Sequence, residues 1–203
     1  MARQKRAAAP APARAWQRML SGRRLDLLDP SPLDVEIEDI AQGLSRVARW
    51  NGQTAGEWAY SVAQHSLLVE AVASFQGLPR RWRLAALLHD APEYVVGDLI
   101  TPFKSAVGFD YKALEVRLEQ AVHIRFGYPA VLPSTVKSSI KRADRVAAHL
   151  EATSLAGFSE AEARRYFGRM ALPPATVTRP YLDPWPPATA KQKFLKRFAE
   201  LGG

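Results

Sequence analysis

Cysteine is absent from the 203 residues, which excludes disulfide staples and thiolate zinc sites and leaves only nitrogen and oxygen to hold a metal. Histidine is scarce, with four in the chain. No stretch approaches the roughly 20 apolar residues of a membrane span, and the N-terminal tail has no apolar segment of the secretory kind. The expected location is the cytoplasm, with no membrane partner. The tail shares an Arg-rich, Ala-rich, acid-free composition with organelle transit peptides, which is the second reading. Period-two alternation is also missing over any useful length, as is a fixed-period repeat. What remains is an all-α fold, read as one helical domain over residues 25–203 with a basic N-terminal arm over residues 1–24.

Acidic residues are absent from that arm, and this decides how the formal charge of +8 is interpreted. Arg3, Lys5, Arg6, Arg14, Arg18, Arg23 and Arg24 supply +7, leaving 21 basic against 20 acidic residues in the body. A nearly neutral body argues against tracking a nucleic-acid backbone, and the tail is expected to be a mobile, solvated arm.

Helical signals are plentiful. In residues 35–50, Ile37, Ile40, Ala41, Leu44, Val47 and Ala48 form one apolar stripe, predicting a first helix. Asn-Gly and a second glycine break it, and Ser61 is placed to cap a second helix running to about Phe75. A third is expected over residues 80–91, ending near Pro92. The fourth, residues 110–127, is closed by Gly127, and the fifth starts at Ser134 with Val136, Ile140, Ala143, Ala147 and Leu150 on its buried face. Ser159 and Glu162 form a capping box for the sixth. Six of the 15 prolines fall between 173 and 187, predicting an extended strap before a last helix bearing Phe194, Leu195, Phe198 and Leu201.

His65 and His89 lie in apolar helical surroundings, and Asp90 follows His89 at the end of the run LAALLHD. Asp144 sits among Ile140, Ala143 and Ala147. One buried histidine is ordinarily a hydrogen-bonded core residue, but two imidazoles and two carboxylates on buried faces are costly unless something positive compensates them. A divalent cation does so; ion pairs with Lys141, Arg142 or Arg145 are the plainer alternative. Nitrogen and oxygen ligands suit Mn²⁺, Co²⁺, Fe²⁺, Ni²⁺ or Zn²⁺, and composition does not choose among them.

The segments SVAQH at 61–65, HDAPEYVVGDLITPFK at 89–104 and KRAD at 141–144 resemble the HD-domain metal-dependent phosphohydrolases, and within them the bacterial 5′-deoxynucleotidase group. The resemblance covers roughly residues 33–155. It implies a helical domain in which His65, His89, Asp90 and Asp144 bind one divalent metal and Glu93 orients or deprotonates the attacking water. It also implies that Arg49 and Trp50 contact the substrate phosphate and sugar, that Asp98 receives a sugar hydroxyl, and that Thr101 and Lys104 support substrate binding. The implied reaction is hydrolysis of a nucleotide phosphate ester, first a (deoxy)nucleoside 5′-monophosphate to nucleoside and phosphate, with dNTP triphosphohydrolysis as the alternative. A homodimer is implied by the family alone. A nucleic-acid-binding protein with a structural metal is the competing class. One departure stands beside the first ligand: Gln64 replaces a glutamate of the group, which bears on sugar and base selectivity.

Overall fold

The computed structural model describes residues 15–98 and 109–203. The fold is all-α apart from one small hairpin, β1 (Trp16–Arg18) against β2 (Arg24–Asp26), paired antiparallel with Gln17 opposite Leu25. Three-residue strands are too short to show alternation. The boundary expected at residue 24 therefore falls inside a folded element: Met19 and Leu25 are buried in the core, and Ser21 donates from both N and Oγ to the buried Asp39 carboxylate, at 2.9 and 2.5 Å. These contacts join residues 19–25 to the helical body, and residues 1–14 lie outside the described residues.

The first helix, α1 (Ile37–Leu44), stops well short of its apolar stripe. Residues 47–49 leave it to pair with the strand-like segment before the next helix. Val62 N–H donates to Val47 O at 3.0 Å, Arg49 N–H donates to Tyr60 O at 2.8 Å, and Ala48 bridges Ser61. Val47 and Ala48 stay half-buried in that pairing and so continue the apolar stripe past the helix, which is why periodicity alone misplaces the helix end. A kinked turn over Arg49–Gly52 follows, in which Trp50 and Asn51 are left-handed, at φ 57° and 51°. Side chains with a Cβ occupy that region at a cost of about 1–2 kcal/mol each, a local strain the contacts of Trp50 offset.

At the centre is α2 (Val62–Phe75), capped by Ser61 as its hydroxyl accepts from Gln64 N–H. Eleven of its fourteen residues are buried, including Gln64, His65 and Glu70, so each of these polar groups needs a partner. Those partners organise the molecule. Gln64 donates to the carbonyls of Tyr181 and Asp183 and accepts from Trp185 N–H, which ties down the Pro-rich strap. Glu70 accepts from Arg83 on α3 (Arg80–Leu87) at 2.6 Å and from Arg197 on the last helix at 2.9 Å.

The third helix ends four residues earlier than its pattern suggested. Pro92 has no N–H for the carbonyl of Leu88, and His89 Nδ1–H bonds Ala86 O at 3.0 Å, so the chain tightens into successive turns before the short α4 (Glu93–Val96). Gly43 lets α1 cross α4 closely; a Cβ there would lie 2.7 Å from Cβ of Tyr94.

After residues 99–108, outside the description, come α5 (Phe109–Arg125), closed at Gly127 with Tyr128 N–H on His123 O, and α6 (Ser134–Ser154), which packs along α2. The capping box of Ser159 and Glu162 opens α7 (Glu160–Phe167). The strap contains a short α8 (Ala175–Thr178) and a 3₁₀ turn (Arg179–Tyr181) rather than being extended throughout, and α9 (Pro187–Glu200) buries Ala190, Phe194 and Phe198. None of the helices among the described residues is long and apolar enough to cross a membrane.

Replacing Glu70 by Ala would remove charge-assisted bonds from two arginines and loosen α9 from α2. We expect a loss of about 3 kcal/mol in chemical denaturation. An unchanged midpoint would show that this buried carboxylate does not hold the helices together.

Candidate metal centre

Three elements bring four side chains to one corner. His65 comes from the first turn of α2, His89 and Asp90 from the turn after α3, and Asp144 from the middle of α6. On a regular helix His89 and Asp90 would diverge by about 100°; the tightened turn before Pro92 lets both face inward. Oδ2 of Asp90 stands 3.3 Å from Nε2 of His65 and 3.1 Å from Nε2 of His89. Oδ1 of Asp144 is 3.3 Å from Nε2 of His65, and donor atoms of His65, His89 and Asp144 lie within 4.8 Å of one another. The imidazole centroids are 5.3 Å apart. His65 is fully buried while the Asp144 side chain is 36% exposed, so the corner opens to solvent on one side.

The orientation of both rings is set from behind. Nδ1–H of His65 donates to Oε1 of Glu151 at 2.5 Å, and Nδ1–H of His89 donates to the Ala86 carbonyl. In their neutral forms, with the proton on Nδ1, both rings turn an Nε2 lone pair towards Asp90 and Asp144, and a bound cation takes the place of the proton that these carboxylates otherwise attract to His65. Neither Nε2 makes a hydrogen bond among the described residues, although both are buried. Two orphaned imidazole nitrogens beside two carboxylates fit a divalent cation of the nitrogen- and oxygen-binding kind.

Sequence patterning missed Glu151. It lies seven residues after Asp144, two turns along the same face of α6, and that spacing was the available signal. It is completely buried. Besides His65 it accepts from Trp50 Nε1–H at 3.0 Å and from the Arg49 guanidinium at 3.4 Å, and Arg49 reaches on to Oδ2 of Asp98 at 3.0 Å. Trp50 packs on Phe158 and Phe167, with centroids at 5.7 and 6.5 Å.

The electrostatics favour positive charge. Among the described residues, Asp98 and Glu151 pair with the Arg49 guanidinium while Asp90 and Asp144 stand against His65, so carboxylates outnumber permanent cations at this corner. Burial and the Arg49 charge both oppose a proton on His65, yet Glu151, Asp144 and Asp90 outweigh them and hold its pKa well above the ordinary value. Burial would raise Asp90, but His89 and His65 keep it well below the usual carboxylate range. Burial likewise opposes ionisation of Asp144 and Glu151; His65 lowers both, with Arg49 and Trp50 adding to the effect at Glu151.

Of the other expected site residues, Glu93 is buried on α4 and its N–H donates to Asp90 O at 3.0 Å. Thr101 and Lys104 lie outside the described residues. Gln64, expected to bear on selectivity, instead faces the strap. Its amide donates to two carbonyls and accepts from one N–H, a combination that a carboxylate cannot supply.

An all-helical chain whose imidazoles and carboxylates converge on a partly open, cation-seeking corner is the class that this geometry defines. No family model matches the chain. It is 68% identical over 158 residues to an uncharacterized protein of Rhodobacter capsulatus, covering 77% of this chain and 81% of that one, and it belongs to the same family. It is also similar to the Escherichia coli protein YfdR, 35% identical over 104 residues, or 51% of this chain and 54% of the relative. A 5′-deoxynucleotidase of Cronobacter sakazakii is 40% identical over 74 residues, covering 30% of this chain and 37% of the relative.

Exchanging Glu151 for Gln would keep an acceptor for His65 but remove the charge behind it. Partners of this kind contribute about 10–100-fold to metal affinity, and we expect a loss of that size in calorimetric titration with Mn²⁺ or Co²⁺. Equal affinities would show that Glu151 has no part in cation binding.

Proposed function

We propose that the chain is an HD-domain phosphohydrolase that cleaves a deoxynucleoside 5′-monophosphate to the nucleoside and orthophosphate. The observation that carries this is the convergence of His65, His89, Asp90 and Asp144 with both imidazole lone pairs turned inward. The likeness of one segment to a 5′-deoxynucleotidase supports the choice of substrate class.

The four residues would hold one divalent cation, which when bound acidifies water and polarises a phosphoryl oxygen. Arg49 is fixed by Asp98 and Glu151, and a guanidinium has more N–H groups than those bonds use, so the rest are available to phosphate oxygens. Such a planar fork suits phosphate better than an ammonium does. Glu93 takes a proton from the attacking water as the water oxygen joins phosphorus and the bond to the sugar 5′ oxygen breaks, and the same proton is then passed to that oxygen, which departs as the nucleoside hydroxyl. Asp98, with Oδ2 on Arg49, offers its other oxygen to a sugar hydroxyl. Trp50, held by Phe158, Phe167 and Glu151, forms an apolar wall for the sugar. Thr101 and Lys104 belong to the same signature and are assigned a supporting place in substrate binding.

A panel of deoxynucleoside mono- and triphosphates tests this with Mn²⁺ or Co²⁺ present. Orthophosphate from the monophosphates, lost on chelation and restored by metal, is expected, with Glu93→Gln lowering kcat by about 10²–10⁴-fold. Tripolyphosphate released from dATP would replace the monophosphate reading by triphosphohydrolysis. Full activity in Glu93→Gln with metal bound would remove the catalytic assignment.

A further inference from the structure

Beside α6 lies a cavity of about 700 Å³, a size that accommodates one nucleotide. Among the described residues, Lys141, Arg142, Arg145 and Arg169 line it and no acidic side chain does. Along α6 the basic residues recur at helical spacing, so one helix presents Asp144 and Glu151 to the candidate metal centre and three cations to the cavity. Two of these cations are fixed by neutral groups. Nε–H of Arg142 donates to Oε1 of Gln76 at 3.2 Å, and Nη2–H of Arg145 donates to the Phe167 carbonyl at 2.5 Å. Such partners set the direction of a guanidinium without cancelling its charge, and that is what a pre-formed anion site requires.

The rest of the wall is apolar and aromatic. Phe75, at the end of α2, is 54% exposed and lines the cavity together with Phe167. Four positive charges match the roughly four negative charges of a triphosphate near neutral pH, and an exposed ring gives a flat base a surface to stack on. We propose that this cavity is a second ligand site that binds a nucleoside polyphosphate, with the phosphates on Lys141, Arg142, Arg145 and Arg169 and the base against Phe75. The site does not depend on the metal centre, so it stands or falls separately from the reaction assigned above.

Calorimetric titration of the full chain with ATP, inorganic tripolyphosphate, orthophosphate and a short DNA duplex, at about 0.15 M salt, tests it. ATP binds more tightly than tripolyphosphate, and Lys141→Glu/Arg142→Glu weakens ATP by about tenfold or more. Arg49→Ala, at the other site, leaves this binding in place. Lys141→Gln/Arg142→Gln, which removes charge without reversing it, weakens ATP in the same direction at an unchanged Tm and so separates loss of the site from loss of the fold. Equal ATP affinity in wild type and the charge-reversed protein overturns the proposal. Tripolyphosphate binding as tightly as ATP overturns the stacking role of Phe75, and a duplex binding more tightly than ATP replaces the ligand class with nucleic acid.

Discussion

The hydrogen bond from Nδ1 of His65 to Glu151 is the interaction on which the rest of the site depends. It spans from α2 to α6, the two helices that pack along one another at the centre of the fold. By fixing the proton on Nδ1 it turns the other nitrogen of a fully buried ring towards Asp90 and Asp144. The same carboxylate holds Trp50 and Arg49, so one buried charge orients a ring, an indole and a guanidinium together. Its own burial is costly and is offset by having a donor on every side.

Placement of these groups follows from where helices stop rather than from where they run. α1 ends early because residues 47–49 pair with residues 60–62, which carries Arg49 and Trp50 to the mouth of α2. α3 ends early because Pro92 and the Nδ1 bond of His89 interrupt its ladder, which lets neighbouring residues His89 and Asp90 face the same point. Trp50 in a left-handed conformation is the strained member of this arrangement, and such strain is commonly found beside ligand sites. Gly43 permits α4, with Glu93, to lie close against α1.

Much of this was legible in the residue pattern, for physical reasons that can be named. The cap at Ser61, the stop at Gly127 and the box at Ser159 and Glu162 depend on local backbone chemistry and stand where short-range rules put them. His65, His89, Asp90 and Asp144 stood out because polar groups in apolar runs need compensation, and the structure brings all four together. The early helix ends were not legible, since Val47 and Ala48 continue an apolar stripe while their backbone pairs elsewhere. Nor were the long-range partners: Gln64 with the strap, Glu70 with Arg197, and Glu151 with His65 join residues 86 to 127 positions apart, which no local pattern encodes. The hairpin at residues 16–26 escaped because its strands are three residues long.

The central claim is that a cation belongs among the four converging side chains. Anomalous diffraction from crystals grown with Mn²⁺ or Co²⁺ tests it most directly. One strong peak within bonding distance of Nε2 of both His65 and His89 and of carboxylate oxygens of Asp90 and Asp144 is the predicted result. Protein of unchanged fold with no peak there at saturating metal would contradict it.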